Sequence, residues 1–225
     1  MNDRERYFRE ARASLVDGQV RPNGIIDERI LSAFRRLRRE RFLPPDLQGR
    51  AYADAEVPLG HGRAMTRLMT LGRMLMESAL KPQQRALVIA AGTGYGAASL
   101  ADIGLDVTAL EEDDWLHPLA QAALSAEAPE VRLVKGRLVE GCVQHAPYDL
   151  ILIDGAVDAV PPALAEQLSP EGRLVTIVYR RGVGRLMVGE KVQAAGDTPR
   201  FAFRCAADSS ATIIPQFRSK PEFVF

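Results

Sequence analysis

The residues best placed to do chemistry lie where an apolar run meets three glycines. Residues 86–91 are apolar, Gly92-Thr93-Gly94-Tyr95-Gly96 follows, and an Ala-rich segment begins at Ala97. That order reads as a buried strand, a glycine turn and a helix start. Glycines there let the backbone approach a ligand closely, and the helix N-terminus supplies free N–H groups and a positive dipole end. The next strand-like run, residues 106–110, ends at Glu111, and a carboxylate at a strand tip can accept hydrogen bonds from a ribose. Gly92, Gly94 and Glu111 are therefore candidate holders of a nucleoside-containing ligand. Asp154 ends a later apolar run, at the carboxyl edge where open α/β sheets bind ligands; its alternative role is to cap the turn that follows.

A second group of candidates precedes the glycine turn. Residues 51–67 show no sustained period and contain Pro58, Gly60 and Gly62, which predicts a loop. Within it, Thr66 reads as an N-cap to the next helix. Arg63 or Arg67 could pair with the attacking carboxylate of a substrate, or with a different anionic substrate altogether. His61 reads as a hydrogen-bonding loop residue. His117 and His145, like Cys142 and Cys205, lack ligand or redox spacing, so no metal is expected. The basic run at residues 35–41 reads as a solvated helix face without the aromatic interleaving of a nucleic-acid binder. Glu112, Asp113 and Asp114 read as surface carboxylates, the aspartates favouring a helix start. Trp115 and the methionines Met65, Met69, Met74 and Met76 read as packing.

These side chains need a frame, and the hydrophobic pattern predicts one. Strands are expected over 86–90, 106–110, 131–134, 150–153 and 173–178, with helices over 97–103, 118–126 and 162–168. Alternating strands and helices, with apolar strands, imply a parallel sheet covered on both faces. Before it, Tyr7, Phe8, Ala11, Leu15 and Val16, then Ile30, Leu31, Phe34 and Leu37, recur at helical spacing. Asp27 precedes the second set as an N-cap, Pro44-Pro45 ends it, and residues 68–80 return to helical spacing. Short extended runs over 201–205, 211–214 and 222–225 suggest antiparallel strands at a sheet edge. One domain is expected over 1–225: a helical cap with a loop over 1–80, a nucleoside-binding core over 81–180 and a β-like part over 181–225.

Composition narrows the classes. Hydrophobic residues make up 47% of the 225 and charged residues 26%, while 29 Lys plus Arg balance 29 Asp plus Glu. No global charge points to nucleic acid or membrane. The charged opening MNDRERYFREAR, and the lack of a long apolar window, lead us to expect a cytoplasmic protein.

Four segments, in order, then carry a likeness: AYADAEVPLGHGRAMT at 51–66, AAGTGYGAASLA at 90–101, HAPYDLILIDGAV at 145–157 and QLSPEGRLV at 167–175. Over roughly residues 12–178, the chain resembles the protein-L-isoaspartate O-methyltransferases. The resemblance implies a Rossmann-like class I methyltransferase sheet, S-adenosylmethionine as cofactor, and methylation of isoaspartyl carboxylates in damaged polypeptides, the first step of repair. It implies that Gly92, Gly94 and Glu111 hold the cofactor with help from Asp154, and that Thr66 and the 57–66 loop seat the substrate. The chain also departs from the family pattern. The family's loop has a Glu two positions before its first glycine, where this chain reads Val88 and Ala90. Its substrate loop reads G-Q-T-I-S-x-P, against GRAMTRL at 62–68, so Thr66 stands for the serine and the proline is gone. Its Gly-Asp pair beside the adenine becomes Gly136-Arg137. These departures keep other readings open: a catalytically degenerate member serving as a binding or regulatory module, or a methyltransferase for another anionic substrate. Residues 92–97 also fit a dinucleotide fingerprint, but some 80 residues precede that strand and no second nucleotide-binding half follows.

Overall fold

The computed structural model describes residues 3–193 and 197–219. Helix α1 (Asp3–Leu15) runs into a π-helical turn at Val16–Val20, and α2 (Glu28–Arg36) follows. The Asp27 side chain accepts from the Arg29 amide at 2.9 Å, so the expected N-cap is in place. A hairpin, β1 (Val57–Gly60) and β2 (Arg63–Met65), stands where a loop was expected, and α3 (Leu68–Glu77) follows it. Two strands of four and three residues, one holding Pro58, are too short to show a period. The alternating part comprises β3 (Arg85–Ile89), α4 (Tyr95–Asp102), β4 (Asp106–Glu111), α5 (Leu116–Glu127), β5 (Arg132–Lys135), β6 (Tyr148–Val157) and β7 (Leu168–Arg180). Two further strands, β8 (Val183–Val192) and β9 (Arg200–Asp208), complete it.

One seven-stranded sheet results, in the order β5-β4-β3-β6-β7-β8-β9. Its first five strands are parallel, while β8 and β9 are antiparallel additions at one edge. Side chains alternate across a strand, and the two faces are covered differently. Ala86 and Val88 meet the apolar sides of all five helices, including Phe34, Met74, Ala98 and Leu124. Leu87 and Ile89 face Leu138, Leu164 and Phe217, which belong to short 3-10 turns. The segment over 162–168 is one of these: a 3-10 turn at Pro162–Gln167 replaces the expected helix. Of the three extended runs in the tail, 201–205 lies within β9. Residues 211–214 contribute only an isolated bridge from Ile213 to Ala156. The third run, 222–225, lies outside the described residues.

Register assembles the site. Ile89 pairs with Leu110 on one side and Ile153 on the other. The next residues along the three strands, Ala90, Glu111 and Asp154, therefore lie side by side at the carboxyl edge.

Candidate functional site

Glu111 ends a strand with both faces covered, and its residue is 0% exposed. A carboxylate taken out of water must find partners, and Glu111 finds five. Arg63 reaches down from β2 and donates from Nη1 to Oε1 at 2.9 Å and from Nη2 to Oε2 at 3.0 Å. The Gly92 amide donates to Oε2 at 2.7 Å, and the amides of Glu112 and Asp113 each donate to Oε1 at 3.0 Å. Arg63 Nη2 also donates to the Ala90 carbonyl at 2.9 Å, and its side chain is 4% exposed. Guanidinium and carboxylate thus meet fork to fork, the strongest geometry open to such a pair. Neither Arg63 nor Arg67, whose Nε lies 2.5 Å from Asp54 Oδ1, is free to meet an anionic substrate in this conformation.

The glycine turn lies against this pair. Gly94 has φ of +97° and stands as the N-cap of α4, whose first turn points toward the carboxyl edge. Asp154 packs against the same turn. A Cβ on Gly96 would lie 2.5 Å from Asp154 Oδ2, so only glycine tolerates that approach. Thr66, also buried, donates its hydroxyl to Asp154 Oδ1 at 2.6 Å. Thr66 is therefore no N-cap. Arg67 stands at the N-cap of α3 without a side-chain bond, and the Thr66 hydroxyl belongs to the site. Burial pushes the Asp154 carboxyl above the usual range; the Thr66 hydrogen bond and the charges of Arg39 and Arg63 pull the other way, and Glu56 adds to the rise. The structure thus brings Gly92, Gly94, Glu111, Thr66 and Asp154 to the carboxyl edge of the sheet, with Thr66 and Asp154 lining a crevice there and Arg63 bridging it to Glu111.

One contributor escaped the sequence, and the partner of another did. Arg39, read as part of a solvated basic face, is 1% exposed. It donates to the carbonyls of Ala51 at 2.9 Å and Thr66 at 2.8 Å, anchoring the segment that carries Thr66. The rest of the run matches expectation better, since Arg35, Arg36, Arg38 and Arg41 pair at the surface with Asp17, Asp102 and Glu127. Arg63 was expected to meet a substrate, and instead it pairs with Glu111, 48 residues away.

The hairpin is pinned on both flanks. His61 lies 2.7 Å from Asp113 Oδ2, as a hydrogen-bonding loop residue should, while Glu56 accepts from the Thr212 amide and hydroxyl at 2.9 and 2.8 Å. Asp113 also accepts from the amides of Trp115 and Leu116 at the start of α5. Trp115 is not core packing. It is 43% exposed, with its ring centroid 5.6 Å from that of His61. Arg137 is exposed, pairs with Glu140 and stays out of the crevice. Among the described residues, no group of three His, Cys, Asp or Glu could hold a metal ion.

Comparison with known proteins gives the site a context. The sequence profile of the protein-L-isoaspartate(D-aspartate) O-methyltransferase family matches residues 11–198. A protein-L-isoaspartate O-methyltransferase of Methylorubrum extorquens (strain PA1) is 40% identical over 166 residues, which cover 74% of this chain and 73% of the relative. One from Aeropyrum pernix is 37% identical over 190 residues, covering 82% and 73%. Among solved structures, a protein-L-isoaspartate O-methyltransferase superposes with a TM-score of 0.75 at 20% identity, covering 90% of this chain and 65% of that one. A Plasmodium falciparum protein in complex with S-adenosyl-L-homocysteine, described as a protein-L-isoaspartate O-methyltransferase, superposes with a TM-score of 0.71 at 17% identity, covering 91% and 98%. These two structural likenesses concern the fold.

Proposed function

This chain belongs to the protein-L-isoaspartate O-methyltransferase family, and from that premise we propose that it methylates isoaspartyl carboxylates in damaged polypeptides. S-adenosylmethionine is the cofactor of the family, and Glu111 provides the test of whether the residues present suit it. The two oxygens of Glu111 accept two parallel donors from Arg63, beside the Gly92 amide. A vicinal diol offers two donors to a carboxylate in the same manner, so the donor set fits a ribose, on the condition that Arg63 withdraws. That bidentate face, at the carboxyl edge beside a glycine turn and a helix N-terminus, is the observation that carries the reading.

When bound, the cofactor supplies a methyl group on a positively charged sulfur, open to in-line attack by a carboxylate oxygen. Glu111 would hold the ribose hydroxyls, and the backbone of Gly92 and Gly94 would let the nucleoside approach the turn. An ionised carboxylate is already a nucleophile, so this site needs no general base. Its residues must position the substrate and exclude water. Thr66, held by Asp154 and Arg39, would seat the isoaspartyl side chain beneath the hairpin, and Asp154 would line the cofactor end. We infer a role in repair in the cytoplasm; among the described residues no helix is long and apolar enough to cross a membrane.

The test is transfer of labelled methyl from saturating cofactor to an isoaspartyl peptide, with the ordinary aspartyl peptide as comparison. Label on the first alone is the expected result, and label on neither contradicts the proposal. One observation favours a second reading, a member that binds without transferring methyl: Arg63 fills the crevice. Cofactor binding with no transfer would select it.

A further inference from the structure

The Arg63 side chain occupies the place that the cofactor reading assigns to a ribose. It takes one hydrogen bond to each oxygen of Glu111 and a third to the Ala90 carbonyl, all at 2.9–3.0 Å, from a position 4% exposed. Around it the packing is closed. Leu59 Cδ1 lies 3.6 Å from where a Cβ on Gly92 would stand, and Leu124 covers Gly94. The adjoining crevice between Arg63, Thr66, Asp154 and Ile214 has a cavity volume of about 0 Å³, against the about 300–1,000 Å³ of ligand pockets.

We propose that Arg63 is the affinity-determining residue of this site: its guanidinium competes with the cofactor's ribose diol for the carboxylate of Glu111. The inference rests on reading this crevice as the cofactor site. Binding then requires a state in which Arg63 has left Glu111, and apparent affinity falls by the fraction of molecules in that state. Removing the fork should restore the competent state. Because the competition is for a carboxylate and not for the sulfonium, the gain should be equal for S-adenosylmethionine and for S-adenosylhomocysteine, which lacks the positive sulfur. A general charge effect would favour the sulfonium alone.

The experiment is calorimetric titration of wild type, Arg63→Gln and Arg67→Gln with both ligands. Expected are a gain of at least about tenfold for Arg63→Gln with each ligand and no more than about a twofold change for Arg67→Gln, since Arg67 pairs with Asp54 outside the crevice. If Arg63→Gln fails to fold with Glu111 unpaired, Arg63→Lys keeps a charge on Glu111 while giving up the fork, and should still bind several-fold tighter than wild type. Wild type and the Arg63 variants binding equally, at micromolar concentrations, would overturn the competition and leave the cofactor site standing. A gain confined to the sulfonium, or matched by Arg67→Gln, would overturn it in favour of net charge. No binding by any folded variant up to millimolar ligand would overturn both the competition and the cofactor reading of the crevice.

Discussion

Two carboxylates lie side by side at the carboxyl edge, and they are held in opposite ways. Glu111 ends β4, while Asp154, where the sequence led us to expect a strand end, lies within β6, which runs on to Val157. Glu111 is surrounded by five donors: three backbone amides and the two arms of a guanidinium fork. Asp154, in β6, receives one hydroxyl, from Thr66, and burial raises its pKa. Glu111 thus meets donors on every side, while burial makes charging Asp154 costly.

The largest effect should come from breaking the better satisfied side. Glu111→Ala leaves a buried guanidinium and three amides without their acceptor, and should cost about 3–5 kcal/mol in urea unfolding. A loss below about 1 kcal/mol would mean that Arg63 finds water instead. Removing both charges sharpens the point. Arg63→Met with Glu111→Gln should cost less than Glu111→Ala, by about 1–3 kcal/mol, because no buried charge is left alone; a double variant as unstable as the single would refute a coupled pair.

On the other side the effects shrink. Thr66→Val removes one hydrogen bond and should cost about 1–3 kcal/mol, since it also strips a partly buried carboxylate of its donor. It should push the Asp154 carboxyl still higher, which carbon-detected NMR titration would read; an unmoved carboxyl contradicts the contact. The smallest effect is one of pH. With its folded pKa above the ordinary 3.8, Asp154 binds its proton more tightly in the folded state. Its contribution to stability is full below 3.8 and is lost as pH rises through the folded value. Asp154→Asn should therefore cost more near about pH 4 than near about pH 7. Asp113 should behave oppositely. Burial pushes it up, but hydrogen bonds from His61 and from the Leu116 and Trp115 amides bring it below 3.8, so its contribution is present above 3.8 and lost as pH falls through the lower value. A common pH trend in Asp154→Asn and Asp113→Asn would contradict the contrast.

The same contrast marks what the sequence makes visible. The strands β3 and β4 were legible to within a residue, because strands covered on both faces must be apolar throughout. Asp154 and Glu111 stood out as charges at the ends of such runs. The β8 strand was not anticipated, because Gly184 and Gly189 interrupt its apolar pattern. Gly189 sits within the strand because a Cβ there would lie 2.6 Å from the Phe203 ring, a crowding visible only once β9 is paired beside it. Likewise, the pairing of Arg63 with Glu111 joins a short hairpin to a strand tip 48 residues away, and no local pattern encodes such a contact. Arg39 was misread because its neighbours in the basic run are exposed, and burial of one arginine among them is decided by the carbonyls it reaches.

The central claim is that Glu111 is an acceptor shared between Arg63 and the ribose of the cofactor. A crystal structure of the wild-type chain grown with saturating S-adenosylhomocysteine tests it most directly. The account predicts ribose hydroxyls on the Glu111 oxygens, with the Arg63 guanidinium withdrawn from them. Ligand bound elsewhere, or an Arg63–Glu111 fork still closed at saturation, would contradict it.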